Sequence, residues 1–204
     1  MKKLIPENRE DLEAFAPPWK RSRPEFLCDA KIFTVEKIPS ESPETGKKFD
    51  FFRLVAQDWV NVIALTPDNK AILVVQQRHG IDLPTLEIPA GLVEPEEEPS
   101  KAVLRELEEE TGYVPDELIH IGTCWPNPAF LTNTCYSYLA TNCRPSGRVQ
   151  QDASEEVKVI LVPEPELHNL LLRGLLGNSM GIVALYWYDL HRRGLSWRGD
   201  RNME

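Results

Sequence analysis

Four glutamates and one arginine are spaced so that they can do chemistry together. Glu97 lies eight residues before Arg105, and the stretch from Arg105 continues as Glu106-Leu107-Glu108-Glu109-Glu110-Thr111-Gly112-Tyr113. On a helix of 3.6 residues per turn, Glu106, Glu109 and Glu110 fall on one face, while Ala102, Val103 and Leu107 fall on another. Carboxylates crowded on one face repel each other and weaken the helix unless something neutralises them. A hard divalent cation does so, because magnesium takes oxygen ligands: a few carboxylates plus substrate phosphates. Arg105, four residues before Glu109, can pair with it and hold it in place. For an isolated acidic run, a solvated surface face is the commoner reading. The residues around this one reverse that preference.

Upstream, Gly91 is followed by five residues and then Glu97, and seven more lead to Arg105-Glu106. The pattern resembles the Nudix box in Gly91, Glu97, Arg105, Glu106, Leu107, Glu109, Glu110 and Gly112, with Tyr113 as an aromatic in the last hydrophobic position. The resemblance to Nudix hydrolases implies a loop–helix–loop that binds Mg2+, with Mn2+ as a possible substitute, and a diphosphate. It implies Glu106, Glu109 and Glu110 as metal ligands, helped by a backbone carbonyl of Ala90 or Gly91. Arg105 would orient Glu109, and Glu97 would brace the loop. The reaction implied is attack of water on one phosphorus of a nucleoside diphosphate linked to another group.

The flanks narrow the resemblance. Gln76-Gln77-Arg78-His79-Gly80, Leu86-Glu87-Ile88-Pro89-Ala90-Gly91, and Pro128, sixteen residues after Gly112, look like the branch that cleaves ADP-ribose and nucleotide sugars. An N-terminal β-rich segment is similar to the one that builds a homodimer in that branch. Arg78 and Arg53 are candidate phosphate contacts, since a guanidinium pairs bidentately with phosphate oxygens. Glu87, Pro128 and Phe130 are further candidates on the substrate side. In one respect the chain departs from the branch. The stretch after Pro128, Phe130-Leu131-Thr132-Asn133-Thr134-Cys135, carries no carboxylate where the branch often has a catalytic glutamate. The base then comes from a box glutamate or from Glu155 or Glu156, or the substrate differs: NADH, a dinucleoside polyphosphate or a GDP-sugar. A non-catalytic nucleotide-sensing module would be free to lose the box carboxylates, and this chain keeps all of them.

The elements that must position these residues are legible in outline. Pro99 suits the first turn of a helix and Gly112 the left-handed position just past its end, which predicts a helix over about 99–111. Strands are expected at 26–36, 48–57, 59–65, 71–76, 86–88, 118–125, 134–141 and 155–162, with a turn-rich loop at Pro39–Gly46. Helices are expected near 165–173 and 179–192, and a short one over Glu7–Phe15. Strands and helices mix without regular βαβ alternation, which argues for an α+β fold. Together with the resemblance this is an α/β/α sandwich with a mixed sheet, preceded by a small N-terminal β-rich segment. The expected division is an arm and dimerisation segment at 1–57, a hydrolase domain at 58–193 and a polar tail at 194–204.

Composition sets bounds. The 204 residues are 42% hydrophobic, enough for a core, and carry a formal net charge of −9. An acidic chain is a poor general partner for nucleic acid, whose phosphates attract Lys and Arg. No apolar run approaches the ~18 residues of a membrane span. The basic start, Met1-Lys2-Lys3, has no apolar run behind it and does not read as a signal peptide. Cys28, Cys124, Cys135 and Cys143 show no metal-binding spacing and are expected as reduced, mostly buried thiols of a cytoplasmic protein.

Overall fold

The computed structural model describes residue 5 and residues 9–147 and 157–199. They form two compact units. The first comprises the chain up to Ala56 together with Asn127–Thr132, and the second comprises Gln57–Pro126 and the chain from Asn133 onward.

The first unit holds a short helix α1 (Arg9–Glu13) and strands β1 (Lys20–Arg21), β2 (Glu25–Asp29), β3 (Phe33–Glu41) and β4 (Lys48–Ala56). β3 is central, with β4 antiparallel along one edge and β2 and β1 in succession along the other. The single strand expected at 26–36 is therefore two strands. Lys31 adopts a positive φ of 69°, and its N–H is held by the Asp29 carboxylate at 2.7 Å, which turns the chain there. The loop expected from Pro39 begins later, because β3 runs through Pro39 to Glu41. A proline cannot donate to a ladder. Pro39 sits where β2 has ended and β1 has not begun pairing, and its carbonyl accepts from Ser22 N–H at 2.9 Å. Trp19 packs edge-on against Phe49 and Phe51 of β4.

The second unit is built on a mixed sheet. Its strands are β5 (Trp59–Leu65), β6 (Lys70–Arg78), β7 (Leu83–Glu87), β8 (Ala90–Leu92), β10 (Glu117–Cys124), β11 (Cys135–Thr141) and β13 (Lys158–Pro163). A separate pair joins β9 (Tyr113–Val114) to β12 (Arg144–Pro145). β5 and β11 run parallel, and the other pairings are antiparallel. Alternate residues of β5 face opposite layers. Val60, Val62 and Ala64 pack with Ala102, Val103 and Leu107 of helix α2 (Pro99–Thr111). Ile63 and Leu65 pack with Leu167 of α3 (Glu166–Leu172) and with Ala184, Leu185 and Tyr188 of α4 (Ser179–Arg192). The result is the expected α/β/α arrangement. Among the described residues no helix is long and apolar enough to cross a membrane.

One detail of this sheet positions everything that follows. β5 and β6 pair only next to their turn, at Ala64–Ile72 and Leu65–Ala71. Further along they splay apart. β7 pairs with β6 and β8 pairs with β5 inside that fork. The fully buried Pro89 kinks the chain between them, and its carbonyl accepts from Val62 N–H at 3.0 Å. Gly91 is thereby fixed to the middle strand of the unit at Val60.

Candidate active site

Helix α2 carries the acidic residues. Pro99 opens it, and Gly112 closes it with φ of 72°, donating its N–H to the Glu108 carbonyl at 2.7 Å. Its apolar face of Ala102, Val103 and Leu107 is buried against the sheet, which fixes where the carboxylates point.

Arg105 ties the site together. Its Nε and Nη2 donate to Glu97 Oε1 and Oε2 at 3.1 and 2.9 Å, a bidentate fork. Nη1 donates to Glu106 at 2.9 Å and to Glu109 at 3.1 Å. Nη2 also reaches the carbonyl of Leu92, at 2.9 Å. One cation thus meets three carboxylates and pins the loop between β8 and α2 from both of its ends. Glu97 holds that loop again by accepting the Glu94 N–H at 3.0 Å. The Arg105 pairing keeps the Glu97 carboxyl below its usual range. Glu97, then Glu106 and Glu109, raise the Arg105 guanidinium above its ordinary value.

Gly91 is required by proximity. A Cβ there would overlap the carboxylate of Glu106, so only glycine lets that carboxylate lie against the β8 backbone. Glu110 is placed differently from the expectation of a single open acidic face. It is buried, because at i+3 from Leu107 it turns toward the sheet, where its Oε2 accepts the Ala90 N–H at 3.1 Å. Glu109 stays the most open, with 42% of its side chain exposed against 15% for Glu106. Among the described residues no three His, Cys, Asp or Glu side chains are already gathered as a metal cluster. The donor set nevertheless suits a hard cation. It is all carboxylate oxygen, its negative charge exceeds the single guanidinium that serves it, and the glycine opposite admits a carboxylate.

A second ionic centre joins β6 and β7. Arg78 donates from Nε and Nη2 to the two oxygens of Glu87 at 2.8 and 2.7 Å. Thr85 Oγ1 and Asn178 Nδ2 complete the shell of Glu87 at 2.6 and 2.8 Å. Burial would raise the Glu87 carboxyl, but the bonds from Arg78, Thr85 and Asn178 outweigh it and hold it below its usual range. Glu87, a candidate on the substrate side, has only 3% of its side chain exposed and is held by Arg78, Thr85 and Asn178. One edge of the Arg78 guanidinium is committed to it. Sequence alone did not reveal Asn178 as a partner. Its one signal was its place before α4, where its Oδ1 caps the helix by accepting Met180 N–H at 2.9 Å.

Arg53, Pro128 and Phe130 belong to the first unit. There Arg53 Nε and Nη2 bind Glu36, each at 2.8 Å. The Phe130 carbonyl accepts Leu54 N–H at 2.7 Å. Glu155 and Glu156 lie outside the described residues.

The family model for the NUDIX domain matches residues 56–178. The ADP-ribose pyrophosphatase of Bacillus subtilis (strain 168) is 42% identical over 81 residues, 40% of this chain. That match spans 44% of the relative's own length. The methanol dehydrogenase activator of Bacillus methanolicus is 30% identical over 132 residues, covering 64% of this chain and 71% of that protein. A crystal structure of an ADP compounds hydrolase superposes with a TM-score of 0.78 at 21% identity, covering 86% of this chain and 95% of that one. It bears out the fold.

The two depressed carboxyls make a prediction about acid stability. A glutamate whose folded pKa lies below its unfolded value stabilises the fold above that unfolded value, 4.5 for both Glu87 and Glu97. The contribution is lost as pH falls through the lower, folded pKa. Urea midpoints are therefore expected to hold above pH 4.5 and to drop below it. Glu87→Gln is expected to be less stable near neutrality and to show a shallower acid decline. An equally steep decline in that variant would rule out the linkage.

Proposed function

From a chain that belongs to the NUDIX domain family, we propose a hydrolase that cleaves the pyrophosphate bond of ADP-ribose or a nucleotide sugar with the help of Mg2+. The observation that carries this reading is the Arg105-centred cluster of Glu97, Glu106 and Glu109 set against Gly91, with Glu110 at the Ala90 N–H. Glu106, Glu109 and Glu110 would hold the cation, with a carbonyl of Ala90 or Gly91. A bound divalent cation would neutralise phosphate charge and make a bound water more acidic.

This chain's own residues do the rest. Arg105 keeps Glu106 and Glu109 oriented while Glu97 occupies the other side of the guanidinium. With no acid in residues 130–135, a box glutamate, or else Glu155 or Glu156, accepts the proton of the attacking water. Water adds to one phosphorus, the bridging P–O bond breaks, and a nucleoside monophosphate and a sugar phosphate leave. The Bacillus subtilis relative, an ADP-ribose pyrophosphatase, supports ADP-ribose as the first substrate to try. The acid-free stretch after Pro128 keeps NADH, dinucleoside polyphosphates and GDP-sugars as the competing substrates.

We also propose that the protein is a homodimer through the first unit. Phe26 on β2 and Phe49, Phe51 and Phe52 on β4 are exposed there, an apolar load that a second copy would cover. Light scattering coupled to gel filtration is expected to give twice the chain mass of 23.3 kDa. A monomer at micromolar concentration would exclude this assembly.

Incubation with ADP-ribose and Mg2+ is expected to yield AMP and ribose 5-phosphate, with no turnover when a chelator is present. If neither ADP-ribose nor any competing diphosphate is cleaved, the hydrolase reading fails, and binding without cleavage would identify a sensor. Glu109→Gln and Glu110→Gln are each expected to lower kcat by about 100-fold or more while circular dichroism stays unchanged. Full activity in both variants would refute the ligand assignment.

A further inference from the structure

Two of the four thiols face each other. Cys124 ends β10, Cys135 begins β11, and the two are directly opposed in the antiparallel register. Opposed Cα atoms in such a ladder lie about 4.5 or about 5.5 Å apart, depending on the pair type, and both separations fall within the span a disulfide accepts. Opposed side chains also lie on the same face of the sheet. Asn61 Nδ2 donates to Cys135 Sγ at 3.4 Å. Cys135 is buried, whereas Cys124 is partly exposed and within reach of a small oxidant. The neighbouring Cys135 draws the Cys124 thiol down, whereas Cys124 and burial push the Cys135 thiol up. The attacking and resolving roles follow, because the thiolate is the nucleophile.

We propose that Cys124 and Cys135 are a built oxidation site, converted by a peroxide to an intrachain disulfide that ties the end of β10 to the start of β11. Cys124 sulfur attacks one peroxide oxygen, the O–O bond breaks, and Cys124 becomes a sulfenic acid as the first water leaves. Cys135 sulfur then attacks Cys124 Sγ, the S–O bond breaks, and hydroxide departs with the Cys135 proton as the second water. The two thiols lose two electrons and the peroxide gains them. The bridge would close the ten residues Trp125–Thr134 into a covalent ring. That segment includes Pro128 and Phe130, both candidates on the substrate side. Cys28 and Cys143 have no such partner in register and serve as internal comparators.

The test uses the full chain as Cys28→Ser, which removes the exposed thiol able to join two copies. After hydrogen peroxide treatment, the remaining thiols are alkylated in denaturant and the protein is digested with trypsin. The peptide Glu106–Arg148, left uncut at Arg144 because Pro145 follows it, contains Cys124, Cys135 and Cys143. It is expected to carry one alkyl group, on Cys143, with its mass otherwise reduced by two hydrogens, and to carry three alkyl groups after dithiothreitol. In Cys135→Ser the bridge cannot form, and dimedone is expected to label Cys124 at least tenfold more than in the parent. The proposal is overturned if the parent peptide keeps three alkyl groups, if Cys124 proceeds to sulfinic acid without a bridge, or if Cys143 is the bridged partner. None of these readouts depends on substrate turnover, so they stand or fall separately from the hydrolase reading.

Discussion

A single guanidinium sets the geometry of this site. Glu106 and Glu109 project from adjacent turns of α2 and Glu97 from the loop before it, and left to themselves they would repel. Arg105 lies among all three and also holds the Leu92 carbonyl, so loop and helix close on one side chain. Arginine suits this position better than lysine, because its planar fork offers several donors in fixed directions. The remaining architecture serves that arrangement. The fork between β5 and β6 presents the β8 backbone beside α2, and the missing Cβ of Gly91 lets Glu106 lie against it.

The Glu87 centre uses the same residue types for a different end. Taking a carboxylate out of water is costly unless its lone pairs are satisfied. Glu87 meets that condition with donors from β6, from its own strand and from the cap of α4. Such a closed shell joins three elements in one place and leaves little for a ligand. The Arg105 cluster has carboxylate oxygen in excess over guanidinium donors, and that excess is what a cation-binding site requires.

Much of this could be read from the sequence, for reasons tied to particular residues. Helix α2 was legible because Pro99, Gly112 and the Val103–Leu107 spacing all point to the same element. β5 was legible because a run that is apolar at every position but Asn61 needs burial on both faces. The rest depended on tertiary pairing. Nothing local says that β5 and β6 splay, or that Pro39 falls in a gap between two neighbouring strands. Helical periodicity put Glu110 with the other acids, but a polar residue at a helix's boundary follows its nearest donor, here the Ala90 amide. Residues 127–132 look like an ordinary turn in sequence, yet they group with the N-terminal unit because Leu54 takes and gives backbone bonds at Phe130 and Thr132.

The missing acid after Pro128 and the unequal burial of the box glutamates bear on one another. A base must come within hydrogen-bond reach of the water it activates and must stay open to that water. Glu110 is buried on a backbone amide, and Glu97 has both oxygens on Arg105, one of them also on the Glu94 amide. Glu106 is pressed against Gly91. Glu109 alone of the four keeps a large exposed fraction, and Arg105 bonds to it through a single oxygen, at the longest distance of its three contacts made by Nη1 and Nη2 to carboxylates. Among these four residues the other oxygen of Glu109 is therefore the one best placed to meet water. A chain that dispenses with a distant loop carboxylate would draw both its metal ligand and its proton acceptor from the same turn of helix.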